Sequence, residues 1–260
     1  MVKIACQAIV YGNPVIHDEI DRIFASMAQI GYDGAEVGIR HFDLDRVEYY
    51  RDLLEENHLL LPAVHMGGDF LDRDSVQNQL DNFEKTLRFA QKLGCSYIYL
   101  SGAHQKEKSV EDYKAEAKIY NDMGKRCRDA GLKLCYHNHD WEIVNQLSGI
   151  NILIGETQKD NFFLVPDVGW MTVANCDPVA FIKNNMQRVE ALHFKDFQPI
   201  RRFTELGTGM VDFKGVYDLY IQTHQDFWIS AEQDRSYKED PAQSAQENFK
   251  YIDGLRKAGS

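Results

Sequence analysis

Residues 189–196 read VEALHFKD, an apolar run of strand length that ends at the imidazole of His193. Three other runs in the second half of the chain have the same design, namely LCYHNHDWE, FLVPD and FWISAE. Together the four runs end on three hard oxygen donors and one imidazole, at Glu142, Asp167, His193 and Glu232. Such donors, each delivered by a different strand, are typical of an open octahedral metal site rather than a closed structural one.

Apolar runs of strand length alternate with segments of helical period along the whole chain, which indicates repeated βα units around a parallel sheet. The predicted strands are Lys3–Val10, Gly34–Gly38, Leu60–Met66, Tyr97–Ser101, Lys133–Asn138, Phe162–Asp167, Val189–Phe194 and Phe227–Ala231. The predicted helices are Ile16–Ile30, Leu44–Asn57, Ser75–Leu93, Val110–Ala130, Ser148–Thr157, Asp177–Asn185, Lys214–Thr223 and Pro241–Lys257. Eight units without a linker predict an α/β protein with the (β/α)8 TIM barrel fold, as a single domain over residues 1–260. A doubly wound open sheet is the alternative, but no GxGxxG motif follows the first strand.

The composition narrows the classes of partner. A formal net charge of -11 repels phosphate backbones, so nucleic acid and anionic membranes are expected to be poor partners. Five scattered cysteines without a CxxC pair favour reduced thiols in a cytoplasmic protein. No segment approaches the ~18 apolar residues of a membrane span, and the first residues lack the basic and apolar regions of a leader peptide.

Chemistry in a (β/α)8 barrel is expected at the C-terminal ends of the strands. Eight charged or imidazole side chains fall at those positions: Glu36, His65, His137, His139, Asp167, His193, Lys195 and Glu232. Such groups are costly to desolvate unless a metal or ligand compensates them. Four other histidines have no such placement and are expected at the surface: His41, His58, His104 and His224.

With these residues in place, the chain resembles the xylose isomerase-like barrel superfamily, in the branch of sugar phosphate isomerases and epimerases. The matching segments are YDGAEVG, AVHMGG, YHNHDWE, PDVGWMTVANCDP, VEALHFKD, ELGTGMVDF and the strand that ends at Glu232. The resemblance implies one divalent cation, usually Mn²⁺ or Mg²⁺ and sometimes Co²⁺ or Zn²⁺. It would be held by Glu142, Asp167, His193 and Glu232, with His139 as the competing ligand on strand five.

The resemblance also implies the chemistry, which is the isomerisation or epimerisation of a ketose or keto-sugar through an enediolate stabilised at the metal. Glu142 and Glu232 would serve as base and acid on the two faces of the sugar. His65, His137 and Lys195 would protonate or polarise other hydroxyls. If a hydroxyl left from the β-carbon instead, the enzyme would be a dehydratase (a lyase) of an inosose or 3-keto-sugar.

Three further residues are expected to bind the substrate. Glu36 and His139 would orient groups in the barrel mouth, and Trp170 could stack on a sugar ring. One of His137 and His139 could instead hold a ligand carboxylate in place. The expected partner is a small sugar or cyclitol, and the chain could form a homodimer.

Two more distant functions exist on the same scaffold. An abasic-site endonuclease would need three metal ions and a basic DNA-facing rim, which an acidic chain lacks. A non-catalytic sugar-binding barrel would be expected to lose the metal ligands.

The long connection over residues 196–212 is expected on the catalytic rim, as a lid. Its Arg201 and Arg202 could grip a phosphate or remain solvated.

Overall fold

The computed structural model describes residues 1–104, 108–223 and 226–259. The strands are β1 (Val2–Gln7), β2 (Gly34–Gly38), β3 (Leu60–Gly68), β4 (Tyr97–Gly102), β5 (Lys133–Tyr136), β6 (Phe163–Leu164), β7 (Ala191–Phe194), β8 (Asp196–Gln198), β9 (Arg202–Thr204) and β10 (Phe227–Ala231). All except β8 and β9 form one parallel sheet in the order β6-β5-β4-β3-β2-β1-β10-β7. Parallel bridges from Leu164 to Val189 and from Asp167 to His193 join the two end strands. The predicted (β/α)8 TIM barrel is therefore confirmed.

Helices follow the strands around the outside of the barrel. They are α1 (Ile20–Ile30), α2 (Val47–Glu56), α3 (Val76–Lys92), α4 (Val110–Asp129), α5 (Val144–Glu156), α6 (Val168–Val173), α7 (Pro178–Asn185), α8 (Phe213–Ile221) and α9 (Pro241–Ala258). All eight predicted helices are present, with ends shifted by up to four residues. Among the described residues, no helix is long and apolar enough to cross a bilayer.

Local sequence signals explain several of these boundaries. Helix α4 begins with a capping box, in which the side chain of Ser109 accepts a hydrogen bond from the Asp112 amide and the side chain of Asp112 accepts one from the Ser109 amide. Helix α1 ends at Gly31, whose φ of 109° only glycine adopts without strain. The first strand was predicted to reach Val10 but stops at Gln7, because residues 8–11 form a 3-10 turn.

Three structural features differ from the sequence expectations. The short helix α6 was not predicted, and neither was the antiparallel hairpin of β8 and β9 within the long connection. His41, expected at the surface, is buried, and its Nε2 lies 3.0 Å from Asn13 Oδ1. His224 lies outside the described residues.

The interior of the barrel is layered, as alternation along the strands requires. A tight layer of mostly small side chains fills its middle: Ala5, Ala63, Tyr99, Cys135, Val165, Ala191 and Trp228. The next inward-facing position on each strand, toward its C-terminal end, is polar. This packed layer closes the barrel from below, so the polar groups lie at the bottom of a mouth that opens on the loop side.

Candidate metal centre and active site

Four buried side chains meet at the C-terminal ends of the last strands. Their potential ligand atoms all lie within 4.8 Å of one another, and they belong to His137, Asp167, His193 and Glu232. We call these four residues, together with Lys195, the inner cluster. Each of the five is at most 5% exposed, so the group is shielded from bulk water.

Asp167 reaches this position through two local features. Pro166 has no amide to donate to β5, and the pairing of β6 with β5 ends at Leu164. The side chain of Asn138 then replaces the missing strand partner, since its Oδ1 accepts from the Asp167 amide at 3.0 Å. Asp167 Oδ1 caps α6 by accepting from the Trp170 amide at 2.9 Å, which leaves Oδ2 directed toward the inner cluster.

One carboxylate oxygen joins the two imidazoles. Glu232 Oε2 lies 2.6 Å from His193 Nδ1 and 3.1 Å from His137 Nε2. Asp167 Oδ2 lies 3.4 Å from the same His137 nitrogen but accepts no well-aligned hydrogen bond from any described residue. A buried carboxylate oxygen without a hydrogen bond is unusual in a folded protein and fits a metal-binding role.

Lys195 supplies the positive charge of the inner cluster. Its ammonium lies 3.2 Å from Asp167 Oδ2, 3.2 Å from Glu232 Oε1 and 2.9 Å from Asp234 Oδ1. Burial alone would lower the pKa of Lys195, but these carboxylates raise it well above its usual value. Lys195 is therefore a buried, charged ammonium group beside the four potential metal ligands.

Glu36 lies behind His193 rather than in the open mouth. It is fully buried, its Oε2 is 2.8 Å from His193 Nε2, and it accepts from Ser230 Oγ at 2.7 Å. Burial would raise the pKa of Glu36, but the neighbouring His193 and His65 lower it to about 2. The substrate contact expected for Glu36 does not fit this geometry, and a carboxylate that orients a ligand histidine does.

Glu142, expected to be a metal ligand and catalytic base, is not part of the four-residue group. Strand β5 ends at Tyr136, and the chain then turns so that Glu142 Oε1 accepts from Tyr136 Oη at 3.0 Å. Its Oε2 accepts from the His139 amide at 2.8 Å. Because Tyr136 precedes the inward-facing His137, it points to the outer face of the barrel wall, and Glu142 follows it there.

Glu142 belongs to a second buried polar group between the barrel wall and α4. We call it the outer cluster: Lys108, Glu116, Tyr120, Tyr136 and Glu142. Burial raises the pKa of Glu142 to about 7. The geometry therefore places His137, rather than Glu142 or His139, beside the donors of the other strands.

The donor set of the inner cluster fits a divalent cation. Two imidazoles and two carboxylates are ligands that Mn²⁺, Co²⁺ and Zn²⁺ accept readily, whereas Mg²⁺ prefers oxygen. Two carboxylates balance the charge of one M²⁺ ion, and Glu36 can hold His193 through its second nitrogen. The buried His137, Asp167, His193 and Glu232 could thus hold a metal.

The remaining predicted residues surround the inner cluster. His65 lies in the mouth, with Nε2 2.9 Å from Ser101 Oγ and its ring centroid 5.0 Å from that of His137. The His139 ring is 5.2 Å from that of His137 and 5.7 Å from that of Trp170, toward the rim. All the predicted residues except Glu36 and Glu142 thus lie in or beside the mouth.

Two residues near the mouth were not predicted. Asp234, which contacts Lys195, follows Glu232 at the strand period of two, a signal that could have identified it. Trp141 stacks on His139 with ring centroids 4.1 Å apart. No spacing rule identifies Trp141, because the chain turns between β5 and α5 and no longer follows the strand direction there.

The long connection after β7 is organised by one carboxylate. Asp196 accepts hydrogen bonds from the amides of Phe197, Gly207, Gly209 and Met210 at 2.9–3.0 Å. A Cβ at Gly209 would lie 2.3 Å from Asp196 Oδ1, so this close approach requires glycine. The connection is therefore held in a defined shape over the mouth-forming strands.

Both arginines of the connection have partners. Arg201 forms an ion pair with Asp140, in the loop after β5. Arg202 lies over the ring of Tyr237, 4.0 Å from its centroid. These contacts occupy the guanidinium groups that the sequence offered as candidates for gripping a phosphate.

Comparison with known proteins agrees with this architecture. The inosose dehydratase of Geobacillus kaustophilus is 24% identical over an alignment that covers 92% of this chain and 88% of that protein. A sugar phosphate isomerase/epimerase structure from Parabacteroides distasonis superposes with a TM-score of 0.81 at 18% identity, covering 96% of this chain and 93% of that one. The structure of IOLI protein, which contains a zinc atom, superposes with a TM-score of 0.77 at 15% identity, covering 97% of each chain. The family model of the xylose isomerase-like TIM barrel matches residues 24–255, and the chain belongs to that family.

Proposed function

We propose that this protein is a metal-dependent dehydratase that removes water from a keto-cyclitol or keto-sugar. The proposed ligands are His137, Asp167, His193 and Glu232. A cation held there, Mn²⁺ by first preference, would polarise the ketone oxygen and make the neighbouring C–H more acidic. The observation that carries the proposal is the buried Lys195 ammonium, 3.2 Å from Glu232 Oε1.

The two side chains suit the two proton transfers of an elimination. Glu232 takes the proton from the carbon next to the ketone, and the carbon–carbon double bond forms as the C–O bond of the β-hydroxyl breaks. Lys195 gives its proton to that hydroxyl, which leaves as water. Because the two groups lie 3.2 Å apart, the proton on Glu232 can return to Lys195 and restore both for the next turnover.

The position of Glu142 favours elimination over epimerisation. Epimerisation requires one group to remove a proton from one face of the substrate and another to deliver it to the opposite face. Glu142 was expected to fill one of these roles but is bound to Tyr136 and the His139 amide in the outer cluster. The similarity to an inosose dehydratase supports the same preference.

The test is turnover of an inosose and a 4-keto-glucoside, each of which carries a hydroxyl on the carbon β to its ketone, by the Mn²⁺-loaded protein. Dehydration produces an unsaturated ketone, followed by its ultraviolet absorbance, and the loss of one water, followed by mass spectrometry. Epimerisation, the second candidate because the fold is shared with epimerases, would incorporate solvent deuterium without loss of water. That result would replace the dehydratase assignment.

Lys195→Met separates the two proton transfers. We expect dehydration to fall about 100-fold to 1,000-fold, while deuterium exchange next to the ketone continues because Glu232 is intact. Lys238→Met removes a surface lysine paired with Glu247 and is the matched control, with unchanged turnover. If exchange and dehydration fell together in Lys195→Met, Lys195 would not be the acid for the leaving hydroxyl.

A further inference from the structure

Aromatic side chains continue outward from the inner cluster toward the rim. The His139 and Trp141 rings stack at 4.1 Å with an interplanar angle of 7°, and the Trp170 ring is 5.7 Å from His139. Phe203, in β9 of the hairpin, lies 6.0 Å from Trp170 at nearly a right angle. We call these four residues the rim aromatic cluster. All four are partly exposed, so they provide an apolar surface at the entrance to the mouth.

The rim aromatic cluster also contains hydrogen-bonding groups without partners. Trp141 Nε1, Trp170 Nε1 and His139 Nδ1 are buried atoms, and none forms a hydrogen bond with any described residue. An unsatisfied buried donor typically costs about 1–3 kcal/mol, so such groups are rare outside functional sites. Three of them in one aromatic group indicate a ligand that stacks on rings and also presents oxygen acceptors.

The charges beside the rim aromatic cluster indicate that this ligand is neutral. Lys195 lies 4.9 Å from the Trp170 ring but is held by the carboxylates of Asp167, Glu232 and Asp234. Arg201 is paired with Asp140, the residue between His139 and Trp141. Lys195 and Arg201 already have carboxylate partners, and the Arg202 guanidinium lies 4.0 Å from the centroid of the Tyr237 ring, so an added phosphate would have to displace one of these contacts.

We propose that the rim aromatic cluster is a second binding subsite that accepts a second, neutral ring attached to the reacting ring. The substrate class is then a keto-glycoside, in which a glycosidic oxygen links the keto-sugar in the mouth to a sugar or aromatic ring on Trp141 and Trp170. Sugar C–H faces and aromatic rings both stack on indole, and sugar hydroxyls can accept from the two indole N–H groups. This inference rests on the proposed function, and it narrows the substrate from keto-cyclitols and keto-sugars in general.

Matched substrates isolate the second ring. Methyl 4-keto-glucoside, phenyl 4-keto-glucoside and a disaccharide with a 4-keto-glucosyl ring share the reacting ring and differ only in the group beyond the glycosidic oxygen. In each of them the proton leaves C3 and the hydroxyl leaves C2, so the glycosidic oxygen is not the leaving group. With Mn²⁺-loaded protein, we expect kcat/KM for the phenyl glycoside and the disaccharide to exceed that for the methyl glycoside at least tenfold. Equal values for the three would overturn the proposal.

Two substitutions at one position separate stacking from hydrogen bonding. In Trp141→Ala, the ratio of kcat/KM for a two-ring substrate to kcat/KM for the methyl glycoside should shrink to within about threefold. Trp141→Phe keeps a stacking ring without the indole N–H, so it should retain the preference for the phenyl glycoside and lose most of that for the disaccharide. Tyr237→Ala removes an exposed aromatic residue outside the rim aromatic cluster and should change none of these values. An equal loss on all three substrates in both Trp141 variants would contradict a second-ring subsite.

A binding measurement makes this inference independent of turnover. The unreactive phenyl and methyl glucosides, which lack the ketone, can be titrated into the protein by calorimetry. At least tenfold tighter binding of the phenyl compound, lost in Trp141→Ala, would support the subsite even if no ketone were dehydrated. Equal binding of the two would overturn the subsite, whereas failure of dehydration alone would overturn only the proposed function.

Discussion

Two buried polar clusters lie on opposite faces of the same barrel wall, and adjacent residues of the chain contribute to them. Tyr136 belongs to the outer cluster and His137 to the inner one. In the outer cluster, Lys108 Nζ lies 2.7 Å from Glu116 Oε1, and both oxygens of Glu142 accept hydrogen bonds. Glu116 Oε2 accepts no hydrogen bond from the described residues, but the other ionisable atoms of this cluster have partners in or beside it.

The inner cluster is built differently. Asp167, Glu232 and Asp234 converge on the single ammonium of Lys195, and Asp167 Oδ2 accepts no hydrogen bond from the described residues. A buried excess of carboxylate charge is costly unless a cation joins it. Both clusters contain a buried carboxylate oxygen without a hydrogen bond, but only in the inner cluster do four potential ligand atoms lie within 4.8 Å of one another. The comparison teaches that burial, charge and an unpaired oxygen do not distinguish a candidate metal site, whereas convergence of several ligand atoms does. Four predicted effects test this distinction.

The largest effect is expected for Glu232→Gln, in the inner cluster. Saturating Mn²⁺ should raise the melting temperature of the parent protein by about 5–10 °C, because binding at 100 times Kd adds about 2.7 kcal/mol to the free energy of unfolding. In the variant, we expect this rise to disappear and turnover to fall about 1,000-fold or more. Thermal unfolding with and without Mn²⁺ measures the first effect.

Glu142→Gln is the matched control for that experiment. It makes the same chemical change at a buried glutamate, but in the outer cluster, and should retain the rise caused by Mn²⁺. If Glu142→Gln abolished the rise and Glu232→Gln did not, the ligand assignment on strand five would revert to Glu142.

The second effect concerns the ion pair of the outer cluster. Lys108→Met leaves the buried Glu116 carboxylate without its cation, so the free energy of unfolding should fall by about 3–5 kcal/mol. The double variant Lys108→Met/Glu116→Gln removes both charges and should recover most of this loss. Denaturant titrations of the three proteins measure it. No recovery in the double variant would show that the pair contributes mainly through packing.

The sequence predicted the inner cluster better than the outer one, for a physical reason. Side chains alternate along a strand and at the residue that directly follows it, so His193 in β7 and Lys195 just after it fall on the same inward face. Beyond the strand end the period no longer applies, and Glu142 turns to the outer side through its bonds to Tyr136 and the His139 amide. The position of Trp141 could not be derived for the same reason.

The fold was predictable because a strand pattern followed by a helix pattern occurs eight times along the chain. This regular repetition is more specific for a (β/α)8 barrel than any single pattern is. What the sequence did not supply were short elements held by single contacts. Helix α6 depends on capping by Asp167. The β8–β9 hairpin depends on Asp196, which accepts hydrogen bonds from the backbone amides of Gly207 and Gly209. Neither has a hydrophobic period long enough to be recognised before the tertiary contacts are known.

The third effect is a pH dependence of the free energy of unfolding that arises from Glu142. Its pKa is about 7 in the folded protein, against 4.5 as the ordinary value, so folding favours the protonated form. The stability that this group contributes is fully present below about pH 4.5 and is lost as the pH rises through about 7. Glu142→Gln cannot ionise, so it should gain about 2–3 kcal/mol relative to the parent between about pH 5 and pH 8. Denaturant titrations at the two pH values measure the gain, and a constant difference would contradict it.

The smallest effect is expected at the rim, where Arg201 pairs with Asp140. If the mouth is built to bind ligand rather than to stabilise the fold, this half-exposed pair should contribute little to stability. Arg201 also has a φ of 58°, a left-handed conformation that glycine adopts without strain. Arg201→Ala should therefore lower the free energy of unfolding by about 0.5 kcal/mol. Arg201→Gly, which loses the same ion pair but relieves the backbone, should be at least as stable as Arg201→Ala. Thermal unfolding of the two variants decides this, and a loss above about 2 kcal/mol in both would show that the rim pair stabilises the fold as a buried pair does.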